Sequence, residues 1–187
     1  MKQSEEQLVR TAQEGEKEAF GALYDVYVEK IYRFVYYKTF NKDIAWDLTS
    51  DVFVKAYEKF HQFDADKGNF SSWVYAIAKN IIVDHYRKHR ETVSYSDAFD
   101  VSDEYMTKNK IEMSVDIDAV REHIKELDGV TREVLMLRLW EDMSYKEIAE
   151  IVGKTEDNCK MIFSRSIKKL RTQMPLATFL FFITFHL

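Results

Sequence analysis

The chain has 187 residues, 46% of them hydrophobic and 14% aromatic, which allows one large or two small folded domains and excludes wholesale disorder. One proline and five glycines favour an all-α fold, because β folds need more turn residues, and the single cysteine excludes a disulfide framework. The net charge of −5 does not by itself indicate a nucleic-acid partner. The amino end is highly charged and unlike a secretory signal, so we expect a cytoplasmic protein.

Two helices are predicted at the amino-terminal end. Ser4 and Gln7 fit a capping box, in which each side chain satisfies a backbone amide, and this short helix is expected to end near Gly15. A longer helix follows, because apolar side chains recur every three or four residues between positions 20 and 35. Residues 41–43 interrupt the pattern and end it.

The next two helices flank a polar loop. Apolar residues recur every four positions from Ile44 to Phe60, which predicts a third helix. The opposite side of that helix is charged, with Asp43, Asp47, Asp51, Lys55 and Glu58. Residues 61–69 are polar and include a glycine, so we predict a loop. A fourth helix is predicted from about residue 70 to residue 90, with a repeating face of Trp73, Ile77, Ile81 and His85.

Charge is distributed in blocks along the rest of the chain. Residues 79–90 carry four cationic residues and one acid, a net of +3, and residues 154–171 carry six cationic residues and two acids, a net of +4. Between them, residues 91–118 carry eight acids and two lysines, a net of −6. Phosphate affinity depends on local cationic density, so this pattern predicts two basic surfaces joined by an acidic linker.

These observations predict two small helical domains. The expected boundaries are an amino-terminal helical bundle at 1–90, a flexible acidic linker at 91–114, a helix-turn-helix domain at 115–174 and an apolar tail at 175–187.

The helix-turn-helix is predicted from local signals. After a helix at residues 131–138, Ser144 and Glu147 fit a capping box, and Gly153 can adopt the left-handed conformation that ends a helix. Thr155 can cap the helix that follows, which runs to about Arg171. One face of this last helix is expected to point inward, with Cys159, Phe163, Ser166 and Leu170.

The outward face of this last helix is suited to the major groove of DNA. It carries cationic and hydrogen-bonding side chains: Asp157, Lys160, Met161, Ser164, Arg165 and Lys168. Lys160 or Arg165 can read a guanine edge, and Met161 can contact a thymine methyl group. A helical hairpin packed into a larger bundle is the alternative that these residues leave open.

Three segments, in order, resemble bacterial sigma factors. Residues 47–57 (DLTSDVFVKAY) look like the polymerase-binding helix of those proteins, and residues 70–87 are similar to their promoter-melting helix. The helix-turn-helix resembles their carboxy-terminal domain. Two domains without a middle one, in a chain of this length, resemble the extracytoplasmic-function (ECF) subfamily of the sigma-70 family.

The resemblance implies a transcription initiation factor that binds core RNA polymerase, directs it to specific promoters and assists strand opening. It implies polymerase contacts at Asp47, Leu48, Thr49, Asp51, Val52, Phe53 and Lys55. It implies minus-ten DNA contacts at Phe63, Asn69, Ser72, Trp73, Tyr75, Asn80, Asp84, Tyr86, Arg87, Lys88 and Arg90. Contacts with the minus-thirty-five element are expected at Thr155, Asp157, Asn158, Lys160, Met161, Ser164, Arg165 and Lys168. An anti-sigma factor is the further partner implied.

Other functions are weighed against this one. The chain shows no glycine-rich phosphate cradle, no defensible pair of catalytic carboxylates and no nucleophile–base set, so we expect no enzyme, no cofactor and no small-molecule substrate. His85 and His89 lie one turn apart, as in some metal sites, but no further ligand is evident and no metal is expected. A stand-alone helix-turn-helix regulator is the alternative function, and a helical adaptor is a third.

The tail is unusually apolar. Eight of residues 175–187 are Leu, Ile or Phe, yet this stretch is too short for a transmembrane segment, which needs about 20 residues. An exposed patch this apolar invites aggregation, so we expect packing against its own domain or burial on a partner. Contact with a membrane surface and a tail that is a by-product of the reading frame are the remaining alternatives.

Overall fold

The computed structural model describes residues 4–66, 68–90 and 117–184. Within these ranges the regular elements are nine α-helices and one 3-10 turn at Phe60–Gln62, which confirms the all-α class. The helices are α1 (Glu5–Gln13), α2 (Lys17–Thr39), α3 (Lys42–Lys59), α4 (Phe70–Arg90), α5 (Ile117–Lys125), α6 (Gly129–Leu139), α7 (Tyr145–Val152), α8 (Glu156–Gln173) and α9 (Leu176–Thr184). The chain divides into two compact units, Met1–Phe99 and Asp100–Leu187. The predicted acidic linker lies outside the described residues, and no helix within them is long and apolar enough to cross a bilayer.

Helices α1 to α4 form the first unit, in which α2 packs against α1, α3 and α4. The capping box at the start of α1 is present, with Ser4 Oγ accepting from the Gln7 amide at 3.3 Å. Asn41 caps α3 by accepting from the Ile44 amide at 3.0 Å. Because one stripe of α3 is apolar, it is buried: Leu48, Val52, Ala56 and Phe60 are all under 9% exposed. The predicted charged side of α3 is exposed, at Asp43, Asp47, Asp51, Lys55 and Glu58.

The buried face of α4 is not the repeating face that the sequence shows. The most buried positions are Phe70, Val74, Tyr75, Ala78 and Ile82, each between 0% and 6% exposed. The predicted face of Trp73, Ile77, Ile81 and His85 is only half-buried. Two neighbouring stripes of α4 are apolar, and the helical period alone does not choose between them. Packing against α2 and α3 selects the stripe one residue further along.

Helices α5 to α9 form the second unit, in which α6, α7 and α8 pack on one another. Asp128 caps α6, with Oδ1 accepting from the amides of Val130 and Thr131 at 3.1 and 3.0 Å. Its other oxygen accepts from the Thr131 hydroxyl, and these hydrogen bonds lower the pKa of Asp128 below its ordinary value of 3.8. Arg132 of α6 closes the carboxyl end of α5 by donating to the Ile124 and Leu127 carbonyls at 3.1 and 2.9 Å.

The apolar tail forms α9 and packs against α5 and α8 of its own unit. Phe182 is 1% exposed and Phe179 is 7% exposed. The Phe182 ring lies edge-on to Trp140, with centroids 6.1 Å apart. Self-packing, one of the expected fates of the tail, is therefore what the structure shows, whereas Leu176 and Leu180 on the other side of α9 remain exposed.

Candidate polymerase and DNA interfaces

The predicted polymerase-binding residues divide between the two faces of α3. Asp47, Asp51 and Lys55 are exposed and share one side of the helix. Four others have almost no surface to offer a partner: Leu48, Thr49, Val52 and Phe53 are 0–5% exposed. The reason is geometric, because a contiguous helical segment presents only part of its circumference to any one partner.

Three exposed apolar side chains of α3 accompany these charges, and the predicted polymerase set does not include them. Trp46, Val54 and Tyr57 are 41%, 59% and 53% exposed. Trp46 rests on Tyr32 and Tyr57 rests edge-on to Phe20, so both rings are held in place from α2. The signal for them was present in the sequence, since all three fall outside the apolar ladder of α3. A surface of acids and fixed apolar side chains suits a partner surface that is basic and apolar.

The loop between α3 and α4 begins and ends in a cluster of four aromatic rings. Phe60, Phe63, Phe70 and Trp73 contact one another with ring centroids 5.1–6.3 Å apart. Phe63 is 6% exposed and Phe70 is 1% exposed, so both belong to the core in this arrangement. Trp73 is half-buried and offers part of its ring at the edge of the cluster. Asn69 caps α4 by accepting from the Ser72 amide at 2.7 Å, which places both residues where the loop meets the helix.

Beyond Trp73, one exposed stripe continues along α4. Asn80, two helical turns after Trp73, is exposed, and Asp84, Arg87 and Lys88 follow it at spacings of three or four residues, so these side chains share a face. Arg87 pairs with Asp84 at 3.1 Å, an exposed pair that contributes little to stability and is easily released.

Three other predicted minus-ten residues lie off this stripe or outside the description. Tyr75 is 0% exposed and packs edge-on against Phe34, so it has no surface to offer a base. The Tyr86 hydroxyl donates to the Lys38 carbonyl at 3.0 Å and ties α4 to the end of α2. The Arg90 side chain lies outside the described residues.

The two faces of α8 are those predicted. Cys159, Ser166 and Leu170 are 0–4% exposed and Phe163 is half-buried, whereas the predicted outward residues are exposed. Those outward residues are Asp157, Lys160, Met161, Ser164, Arg165 and Lys168. The helix start is fixed locally, because Thr155 Oγ1 accepts from the Asn158 amide at 3.3 Å.

Lys160 is held by acids of its own helix. Its ammonium group lies 2.8 Å from Glu156 and 3.6 Å from Asp157. The hydrogen bond to Glu156 is the largest cause that raises the pKa of Lys160. All three side chains are exposed, so little free energy opposes a move of Lys160 to another anion such as a phosphate.

The turn that presents α8 is built from short-range contacts. Ser144 and Glu147 form the predicted capping box. Gly153 adopts a left-handed conformation with φ 69°, which a residue with a Cβ rarely adopts. Arg138 donates to the Met143 carbonyl at 2.8 Å and lies 5.2 Å from the Tyr145 ring centre. Tyr145 then packs edge-on against Phe163 of α8, which connects the turn to the outward-facing helix.

Metal binding by His85 and His89, and redox chemistry at Cys159, are two other functions that single side chains suggest. His85 packs edge-on against Tyr86, and the His89 side chain lies outside the described residues. Among the side chains that are described, no group of three His, Cys, Asp or Glu is arranged to hold a metal ion. Burial raises the pKa of the Cys159 thiol, which disfavours the reactive thiolate that a redox switch needs.

The described residues thus form one helical unit with an aromatic-edged loop and a second unit with an exposed helix-turn-helix. Sequence models of sigma-70 region 2 and sigma-70 region 4 match residues 23–92 and 117–170. The chain belongs to the sigma-70 family of transcription initiation factors, in its ECF group.

Curated relatives agree with this assignment. The chain is 31% identical over 172 residues to the ECF sigma factor BldN of Streptomyces coelicolor. The aligned residues make up 90% of this chain and 65% of BldN. The chain thus spans just under two thirds of the length of BldN. It is 29% identical over 153 residues to the ECF sigma factor SigM of Bacillus subtilis, which covers 80% of this chain and 91% of that one.

Two solved structures share the fold. The sigma factor RpoE from Bartonella quintana, in complex with the anti-sigma factor NepR, matches with a TM-score of 0.67 at 23% identity and covers 82% of this chain and 94% of that one. CnrH, in complex with the cytosolic domain of CnrY, matches with a TM-score of 0.66 at 22% identity. The match covers 89% of this chain and 94% of the CnrH chain. At these identities the likeness concerns the fold alone.

Proposed function

We propose that this chain binds core RNA polymerase, directs it to specific promoters and helps to open them, while the chemistry stays in the polymerase. The observation that carries the proposal is the exposed face of α3, where Asp47 and Asp51 lie beside Trp46, Val54 and Tyr57. A stand-alone helix-turn-helix regulator needs a DNA-binding surface but has no reason to display this second, acidic and apolar one. The activity belongs in the cytoplasm, where the polymerase works.

The polymerase contact is assigned to the charged and apolar side chains that α3 exposes. Asp47 and Asp51 supply charge complementarity to a basic surface and speed encounter. Val54 and the ring of Tyr57 supply apolar area that is removed from water on docking. Leu48, Thr49, Val52 and Phe53 act from beneath, by holding α3 against the core.

The minus-ten contact is assigned to the loop between α3 and α4 and to the exposed stripe of α4. Extruding a base costs a few kcal/mol, and stacking on an aromatic ring returns about 1–3 kcal/mol. Trp73 presents part of its ring at the loop, with Asn69 and Ser72 beside it. Arg87 and Lys88 further along the stripe contact the phosphates of the separated strand.

The minus-thirty-five contact is assigned to the outward face of α8 in the major groove. Arg165 and Lys160 are donors for guanine edges or phosphates, and Met161, at 42% exposed, can contact a thymine methyl group. Thr155 and Asn158 lie at the amino end of α8, where backbone amides favour a phosphate. Asp157, Ser164 and Lys168 complete this face.

A regulatory partner is part of the proposal. RpoE of Bartonella quintana was solved with an anti-sigma factor, which supports the proposal that an anti-sigma factor also binds this chain. We infer that such a partner covers the exposed face of α3, because that face is the one the polymerase requires.

The test is transcription by purified core polymerase on a pool of genomic promoter fragments. With the chain present we expect new start sites, and we expect Asp47→Arg with Asp51→Arg to abolish core binding and these transcripts together. Asp25→Arg is the matched control, because Asp25 is an exposed acid that lies on α2 rather than on α3. Binding of duplex fragments without core binding or transcripts would instead identify a stand-alone regulator.

A further inference from the structure

Helix α1 precedes the segment matched by region 2, which begins at residue 23, yet it contacts the loop that joins α3 to α4. The amide nitrogen Nε2 of Gln13, the last residue of α1, donates to the Phe63 carbonyl oxygen at 2.7 Å. A carbonyl oxygen only accepts hydrogen bonds, so this contact needs the amino group of Gln13. The first residue of the loop is thereby held from a helix fifty positions earlier in the chain.

The other end of the loop is held through Tyr27 of α2. The Tyr27 hydroxyl donates to a carboxylate oxygen of Glu5 in the first turn of α1. The same ring packs edge-on against Phe70, the first residue of α4, with centroids 5.3 Å apart. Tyr27 is 4% exposed, so its side chain is enclosed by its neighbours.

Helix α1 is fixed at its start by a cap and along its length by packing against α2. Its start is closed by the capping box of Ser4 and Gln7. Val9 is 3% exposed because α1 packs along α2. The chain therefore provides a fixed helix with one direct contact to Phe63 and one contact to Phe70 through a single intervening ring.

We propose that α1 is a positioning element for minus-ten recognition: Gln13 and Glu5 hold Phe63 and Phe70 in the arrangement that lets the loop receive an extruded base. This inference rests on the proposed function, in which that loop and Trp73 capture the base. Gln13 and Glu5 are positioning residues, because they reach DNA only through the loop. Fixing both ends in advance reduces the conformational entropy that base capture would otherwise remove.

The test compares opening rates on two versions of a promoter recovered from the genomic pool. One template is intact, and the other carries an abasic site at the extruded position. Gln13→Ala and Gln13→Glu remove the donor to Phe63, and Tyr27→Phe removes the hydroxyl while keeping the ring. Glu14→Ala, at the exposed position that follows Gln13, and Tyr24→Phe, at an exposed tyrosine of α2, are the matched controls.

We expect the Gln13 and Tyr27 variants to slow opening of the intact promoter about three- to tenfold, the effect of one lost hydrogen bond, and to leave the abasic promoter almost unchanged. Core-polymerase affinity should match that of the unaltered chain, and both control variants should match the unaltered chain in every measurement. Equal slowing on both templates, or no slowing on either, overturns the inference. Failure of the unaltered chain to bind core or start transcripts is a different result, which overturns the proposed function instead.

Discussion

Phe182 provides the sharpest test of whether α9 is part of the second unit. Its side chain is 1% exposed and lies edge-on to Trp140, so Phe182→Ala leaves a cavity and should destabilise the unit by about 3–5 kcal/mol. Leu180→Ala is the matched control on the same helix, because Leu180 is 53% exposed and its loss should change stability by no more than about 0.5 kcal/mol.

Native-state hydrogen exchange measures the effect in the intact chain, unit by unit. A loss of 3 kcal/mol corresponds to about two orders of magnitude in the exchange rate of the slowest amides of α5 and α8. Amides of α2 and α3, in the first unit, should not change and serve as the internal reference. If Phe182→Ala and Leu180→Ala accelerate exchange equally, or neither does, α9 is not packed as described and the burial argument fails.

Three further predictions concern local features. Asp128→Ala should cost about 1 kcal/mol through loss of the α6 cap. Because the folded pKa of Asp128 is lowered, the unaltered chain should be more stable than Asp128→Asn by a constant amount at neutral pH, and this difference should shrink as the pH falls below about 4. Denaturant titrations at several pH values will show it. Gly153→Ala should cost about 1–2 kcal/mol because φ is 69°, and an unchanged denaturation midpoint would contradict this. Glu156→Gln should free Lys160 and tighten promoter binding at low salt, with a steeper salt dependence of the affinity. The control is Glu150→Gln, at an exposed position of α7. Equal promoter affinities of the two variants would show that the ion pair with Glu156 does not restrain Lys160.

Local chemistry made much of the second unit predictable. The cap of Ser144, the left-handed Gly153 and the cap of Thr155 each depend on residues within a few positions of one another. The two faces of α8 follow from the helical period, because Cys159 and Leu170 are apolar where the outward residues are polar. The family resemblance was confirmed for the same reason, since its motifs consist of such local patterns.

The candidate interfaces were predicted less evenly. The motif at residues 47–57 is contiguous, and a contiguous motif does not say which of its residues face a partner. Once α3 is packed, Val52 and Phe53 face the core and Asp47 and Asp51 face outward. Trp46 and Val54 join the exposed face because the apolar ladder of α3 excludes them.

What the sequence by itself determined is where helices begin and end and which side of an amphipathic helix is polar, because these depend on neighbours within one or two turns. Only the tertiary structure decided that α4 buries Val74 rather than Trp73, that Gln13 holds Phe63, and that the tail folds back to bury Phe182. Those choices join segments far apart in the chain. They depend on how whole helices dock, which no short-range period encodes.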